Sequence, residues 1–260
     1  VYSSAGTQIY GDAGNDAIGF ASGASTIDGG ADNDTLILTG NIYSASTFDL
    51  GSAGDQEIGS DTYVTGFENI DFSGFYGQLD VTGSTGANVI VGNYYDDVLS
   101  GLGGADTLDG GSGYNELIGG SGADVFRFID RDGQFDRITD FSGAGDQDKL
   151  YFEHDSFDFN GPTFQTVITS NGAGSLATAD LIRYNGGIID HGYEVGSFLG
   201  ANGTGAVGEG VFVIGSNSDG ETVLFHAVDA SQTINGDVVM VANLGTTPIA
   251  QVNVADFVFG

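Results

Sequence analysis

Large apolar side chains return every nine residues through the first half of this chain. Counting from Ile9, the step lands on Ile18, Ile27, Leu36, Tyr63, Phe72, Val81, Ile90, Leu99, Leu108, Leu117 and Phe126, and only Ala45 and Gly54 break the run. Residues 92–127 divide into GNYYDDVLS, GLGGADTLD, GGSGYNELI and GGSGADVFR; residues 11–37 divide into GDAGNDAIG, FASGASTID and GGADNDTLI, and GSTGANVIV at 83–91 has the same form. Each unit reads as a turn followed by a short strand, such as Thr107-Leu108-Asp109, with its middle side chain pointing inward. Two units make one coil, and coils stack as parallel strands about 4.8 Å apart. A single unit cannot bury its apolar face, so the core exists only in the stack. The phase predicts one solenoid over residues 8–127, interrupted by a bulge or loop near 38–55.

The polar positions keep the same period. The sixth residue of successive units is Asp16, Ser25, Asp34, Asn88, Asp97, Asp106, Asn115 or Asp124; between the two blocks Ile70 and Leu79 take that place, while Asp61 retains it. One oxygen-bearing side chain per turn, at a fixed repeat, reads as a row of calcium sites. The 46 glycines supply turns in which the backbone visits positive φ and approaches its neighbour closely. Their fixed period excludes a flexible linker.

Charge sharpens this picture. Against 36 acidic residues stand 5 basic ones, a formal charge of −31. Such a chain repels itself unless cations bind, and it has nothing with which to neutralise the phosphates of a nucleic acid. With no Cys, neither disulfides nor thiolate metal sites contribute, and bound metal is the remaining way to staple the fold. No apolar run approaches the length of a membrane span. The opening VYSSAGTQIY has neither the charged region nor the apolar core of a signal peptide and no initiator Met, so the chain is read as a fragment or a processed product.

The nonapeptide resembles the calcium-binding repeat of the RTX proteins, G-G-x-G-x-D-x-U-x; GLGGADTLD at 101–109 and GGSGADVFR at 119–127 match it best. The resemblance implies a parallel β-roll, and with the short strands beyond residue 160 the expected fold is all-β, a parallel β-roll followed by an antiparallel β capping region. It also implies that calcium lies between a turn and the one two units later, held by sixth-position side chains and turn carbonyls. By position, Asn88 then pairs with Asp106, Asp106 with Asp124, Asp97 with Asn115, and Asp16 with Asp34, while Gly104, Gly113 and Gly122 lend carbonyl oxygens. Asn at 88 and 115, Ser25 and Tyr95 depart from the pattern, so about three to five sites of uneven affinity are expected.

Residues 128–159 form an acidic flanking segment that resembles the one following the last RTX repeat. Asp136, Asp140, Asp146 and Asp148 are candidate ligands there; the competing reading is that Arg127, Arg131, Arg137 and Lys149 pair with them on a solvated cap. Asp130-Arg131-Asp132-Gly133 opens like an EF-hand loop but lacks the distal Glu. Residues 160–260 lose the period. Short β-branched runs at 165–169, 180–184, 211–214, 222–225 and 237–242, with a turn at Asn217-Ser218-Asp219-Gly220, predict an antiparallel β cap. The ending Val254-Ala255-Asp256-Phe257-Val258-Phe259 is similar to the C-terminal signal of type I secretion substrates, and an ordinary edge strand explains it equally well.

Nothing in the chain points to catalysis. His154, His191 and His226 show no ligand spacing, and neither H-E-x-x-H nor G-x-S-x-G occurs. Tyr94, Tyr95 and Tyr114 sit in turns, open either to stacking on a sugar or a protein or to packing on an adjacent turn. The leading expectation is a non-enzymatic, calcium-folded, secreted structural domain, passed through a type I exporter and self-associating at the cell surface or in an extracellular layer or fibre. The alternatives are a secretion and folding module for an upstream enzyme or adhesin, and a glycan-binding module.

Overall fold

The computed structural model describes residues 7–20, 25–40, 46–51, 56–58, 62–129, 134–142, 146–153, 167–170, 181–190, 195, 211–227 and 238–259. Ala45, Gly54, Asp61, residues 130–133, His154 and His191 lie outside them. The chain divides into two units, residues 1–126 and 127–260.

The first unit carries β1 (Thr7–Tyr10), β2 (Ala17–Phe20), β3 (Ser25–Asp28), β4 (Thr35–Gly40), β5 (Ser46–Asp49), β6 (Gln56–Ile58) and β7 (Thr62–Thr65). It continues with β8 (Asn69–Phe75), β9 (Leu79–Thr82), β10 (Val89–Asn93), β11 (Val98–Ser100), β12 (Thr107–Gly111) and β13 (Glu116–Ile118), and β14 (Val125–Phe128) crosses the division. Within the two repeat blocks its strands pair in parallel two units apart, as a roll requires: Ile9 faces Ile27, Ile18 faces Leu36, Ile90 faces Leu108, and Leu99 faces both Val81 and Leu117, while β6 and β7 between the blocks pair antiparallel. Those eighth-position side chains are buried and form the core. The fold is all-β, with parallel β-roll sheets and a further region of antiparallel strands.

One face of the roll runs without a break through β2, β4, β8, β10 and β12. The opposite face is split, with β1, β3, β7 and β6 in one sheet and β5, β9, β11 and β13 in another. The split corrects the single unbroken phase. The chain leaves the nine-residue step after Leu38 and regains it only at Val81, well past residue 55. Val64, not Tyr63, faces Ile27; Val64 is buried and Tyr63 is exposed. Ile70, not Phe72, stands opposite Leu36 and Ile90, and Phe48 lies inward opposite Val81. Phe72 is still buried, packed edge-on against Phe48 at 4.7 Å between ring centres. Side chains alternate along a strand, so coils of unequal length reset which residues face inward.

The second unit contains β15 (Asp136–Ile138), β16 (Lys149–Phe152), β17 (Val167–Ser170), β18 (Leu181–Ile188), β19 (Val211–Ser216), β20 (Thr222–Ala227), β21 (Val238–Asn243) and β22 (Phe257–Phe259). The turn at residues 217–220 joins β19 to β20 as an antiparallel hairpin, with Gly220 at φ +80°. β20 and β21 are also antiparallel, whereas β17–β18, β18–β19, β15–β21 and β16–β22 are parallel pairs. The antiparallel region is therefore the centre of a mixed sheet. Phe257 is buried against Phe152, which also contacts Phe212 at 4.5 Å, so the segment at 257–259 is a packed strand.

A polar knot fastens the hairpin. The Glu221 carboxylate accepts from Arg137 at 2.7 Å, Asn243 at 2.7 Å and Asn217 at 3.2 Å. Hydrogen bonds from Asn243 and Arg137 hold it below the usual carboxylate range. Ion pairs of this unit among the described residues join Arg127 to Glu153, Arg137 to Glu221 and Lys149 to Asp256.

Candidate calcium centres

Two short-range demands shape each turn. In the turns that begin at Gly11, Gly29, Gly101, Gly110 and Gly119, positions two and four take positive φ, as at Leu102 (+70°) and Gly104 (+111°), or at Asp12 (+71°) and Gly14 (+108°). Turns of successive coils then stack so closely that a Cβ on Gly122 would stand 1.5 Å from the Gly104 carbonyl oxygen. Only glycine fits there. Gly113 (φ +105°) lies in the same way over the Tyr95 carbonyl. The three glycines expected to lend carbonyls thus sit at close approaches between coils, Gly122 at the tightest.

Stacking turns the sixth positions into ladders. The Asp16 N–H donates to Asp34 Oδ1 at 2.8 Å, Asn88 N–H to Asp106 Oδ1 at 2.8 Å, and Asp106 N–H to Asp124 Oδ1 at 2.9 Å. On the opposite edge the Leu79 N–H donates to Asp97 Oδ1 at 2.8 Å and the Asp97 N–H to Asn115 Oδ1 at 2.9 Å. Every pair expected from the spacing is brought together. Asp34, Asn88, Asp97, Asp106, Asn115 and Asp124 are buried, and Asp16 is half-buried.

The ladder also contains a residue that the period conceals. Glu68 Oε2 accepts the Asp34 N–H at 2.8 Å, the place a sixth-position side chain would hold. Ile70 is then the eighth residue of that coil, and the Asn69 N–H bonds to the Asp34 carbonyl as a seventh residue does elsewhere. The available signal was the x-U alternation Glu68-Asn69-Ile70 read two residues out of phase.

The rungs differ in what their side-chain oxygens leave over. Asp97 spends both oxygens on backbone donors, Oδ1 on Leu79 and Oδ2 on Asn93 at 3.0 Å. Asn88 Oδ1 accepts from Ser84 N–H at 2.7 Å, and its amide donates to the Glu68 carbonyl at 2.6 Å. By contrast, the Oδ2 atoms of Asp34 and Asp106 are buried without a hydrogen-bond partner. A buried carboxylate oxygen without a donor is costly and calls for a cation. Burial, together with the nearby Asp124 charge, pushes the Asp106 carboxyl up to about 6 against the pull of the Asn88 N–H. For Asp97 burial again dominates, with the backbone donors opposing it and Asp96 adding to it, and the result is also about 6.

The first glycine of each turn makes room beside these oxygens. A Cβ on Gly101 would meet Asp106 Oδ2 at 2.3 Å and the Gly119 carbonyl at 2.7 Å. A carboxylate oxygen and a carbonyl oxygen from the next coil therefore share one glycine-lined recess. These hard oxygen donors suit calcium. Among the described residues no group of three or more His, Asp or Glu side chains is placed to hold a metal ion. Each ion would therefore rely on one or two carboxylates, with backbone carbonyls completing its six to eight oxygens.

Asp136 and Asp148 of the acidic segment are buried, Asp140 is half-buried and Asp146 is exposed. Asp148 Oδ2 accepts the Ser142 N–H at 2.7 Å, closing its own loop. Tyr94, Tyr95 and Tyr114 stand exposed, at 73%, 42% and 52%, and Tyr76 joins them at 51%. No helix among the described residues is long and apolar enough to cross a membrane.

No curated protein matches the chain. The RTX calcium-binding nonapeptide repeat matches it in four copies, at residues 8–27, 21–40, 82–117 and 103–127. These are the segments whose sixth positions form the ladders, and between them, at 41–81, no copy is found. The first unit of this chain is thus built on RTX calcium-binding nonapeptide repeats, matched over residues 8–40 and 82–127 and stacked as a β-roll with a buried carboxylate ladder.

Proposed function

We propose that this chain is a non-catalytic structural domain of a secreted protein, folded by calcium outside the cell and assembling at the cell surface or in an extracellular layer or fibre. The observation that carries the calcium-folded part is the pair of buried, unpartnered oxygens on Asp34 and Asp106. Without a cation these carboxylates oppose the coil stacking that buries them, and the charge of −31 adds to the repulsion. A chain that stays loose at low cytosolic calcium suits passage through a type I exporter. Extracellular-class sites, with dissociation constants around 10⁻⁴ to 10⁻³ M, fill at millimolar calcium. Each then contributes about 1.4 kcal/mol at tenfold excess over its dissociation constant. Circular dichroism is expected to show mostly coil in a chelator and β-structure in millimolar calcium; an unchanged β spectrum in chelator refutes calcium-driven folding.

Assembly is supported by the open edges of the roll. β1 and β2 are the outermost strands of their sheets among the described residues, and β1 exposes Tyr10 beside the buried Ile9. Unpaired strand edges are templates for another chain. Electron microscopy and sedimentation after calcium addition are expected to show ordered oligomers. Monodisperse monomers at all calcium concentrations would favour the secretion-module role instead.

A further inference from the structure

We propose that Asp34, Glu68 and the Gly66 carbonyl form a further calcium site, built by the segment between the two repeat blocks and joining them into one metal-linked column. It rests on the calcium-folded reading above and adds a ligand from outside the matched repeats.

Three observations carry it. Asp34 is fully buried, and its Oδ1 is spent on the Asp16 N–H while its Oδ2 has no donor. That free oxygen and the Gly66 carbonyl flank one recess: a Cβ on Gly29 would lie 2.9 Å from Asp34 Oδ2 and 2.0 Å from Gly66 O. The recess at Gly101, between Asp106 Oδ2 and Gly119 O, has the same composition, although residues 41–81 contain no matched repeat. Finally, the Glu68 carboxylate is tied to Asp34 through the Asp34 N–H at 2.8 Å, which places a second acid at the same rung. Glutamate comes to this rung because the chain from Leu36 to Ile70 runs longer than two nonapeptides, which resets the register so that Glu68 stands two residues before the inward Ile70.

The neighbouring splice explains why the site ends at this coil. Between Glu68 and Asn88, amides replace the regular rungs. The Asn88 amide donates to the Glu68 carbonyl, the Val89 N–H donates to Asn69 Oδ1 at 2.8 Å, and Asn69 Nδ2 donates to Asn33 Oδ1 and the Asp34 carbonyl. Neutral amides hold the coils together there without needing an ion. Calcium at Asp34 and Glu68 thus joins the Asn69 amide in coupling the first block to the splice, while Asn88 and Asn69 Oδ1 couple the splice to the second block.

The test is calcium stoichiometry and affinity by isothermal titration of the full chain. Glu68→Gln keeps an oxygen for the Asp34 N–H and removes the charge. It is expected to fold in calcium, bind one ion fewer than the parent, and lose cooperativity between the two blocks in thermal unfolding. If the amide variant does not fold, Glu68→Asp keeps the charge but withdraws the oxygens, and is expected to bind that ion at least about tenfold more weakly. Parental stoichiometry and affinity in whichever variant folds would falsify the site. Absence of calcium binding by the parent chain would instead sink the calcium-folded reading itself, so the two failures are distinct.

Discussion

Stripped of calcium, the roll is expected to melt at a higher temperature at pH 5 than at pH 7.5, and calcium is expected to reverse that order. Asp97 and Asp106 titrate near 6 in the fold, chiefly because they are buried, against an ordinary value of 3.8. Between about pH 4 and 6 the folded chain holds protons that the unfolded chain has released. Stability therefore falls as pH rises through that window, and the penalty remains in full above it. Calcium binding needs the same carboxylates ionised, so its contribution grows as pH rises through 6. Calorimetric melts of chelator-treated, dialysed protein at the two pH values, with and without calcium, give the four numbers required. Surface repulsion works in the same direction but is screened by salt, whereas burial is not. The metal-free pH difference is thus expected to persist at high ionic strength. A metal-free roll that grows more stable from pH 5 to 7.5 contradicts the burial argument.

Asp106→Asn is expected to lower calcium stoichiometry while leaving the metal-free fold intact or slightly more stable. The amide oxygen can still accept the Asn88 N–H, and the substitution removes a charge whose second oxygen is buried without a donor. Asp106→Ala is a harsher change. It leaves the Asn88 N–H without its acceptor, at a cost of about 1–3 kcal/mol, and so weakens the fold with or without calcium. Asp97→Asn is the informative control. Both Asp97 oxygens take backbone donors, and an amide offers only one oxygen, so one N–H would face an NH₂ group. That variant is expected to lose stability in both states while retaining more of its calcium than Asp106→Asn. Titration calorimetry paired with melts separates the two outcomes. Full stoichiometry in Asp106→Asn, or a larger loss in Asp97→Asn, means that the ions lie on the other edge of the roll.

Much of this site was legible in the residues. The nine-residue step placed Ile18, Leu36, Ile90, Leu99, Leu108, Leu117 and Phe126 in the core, and all of them are buried. The sixth-position pairs follow from the same step, because two nonapeptides close one coil and bring residues eighteen apart into contact. The 217–220 hairpin was legible too, since a turn that needs positive φ advertises itself through glycine.

Local pattern alone determined these features, because the turn chemistry and the strand alternation are properties of a few neighbouring residues. Three matters were decided only by the tertiary structure. Coil length between Leu38 and Val81 set the register, which moved Val64 and Ile70 inward and brought Glu68 onto the ladder. Stacking decided which oxygens meet a donor, so Asp97 is satisfied by two N–H groups while Asp34 and Asp106 each keep one oxygen for a cation. In the second unit, long-range pairing made parallel neighbours of strands whose sequences read only as short and apolar. A period specifies what each residue offers; the path of the chain between periods specifies what it meets.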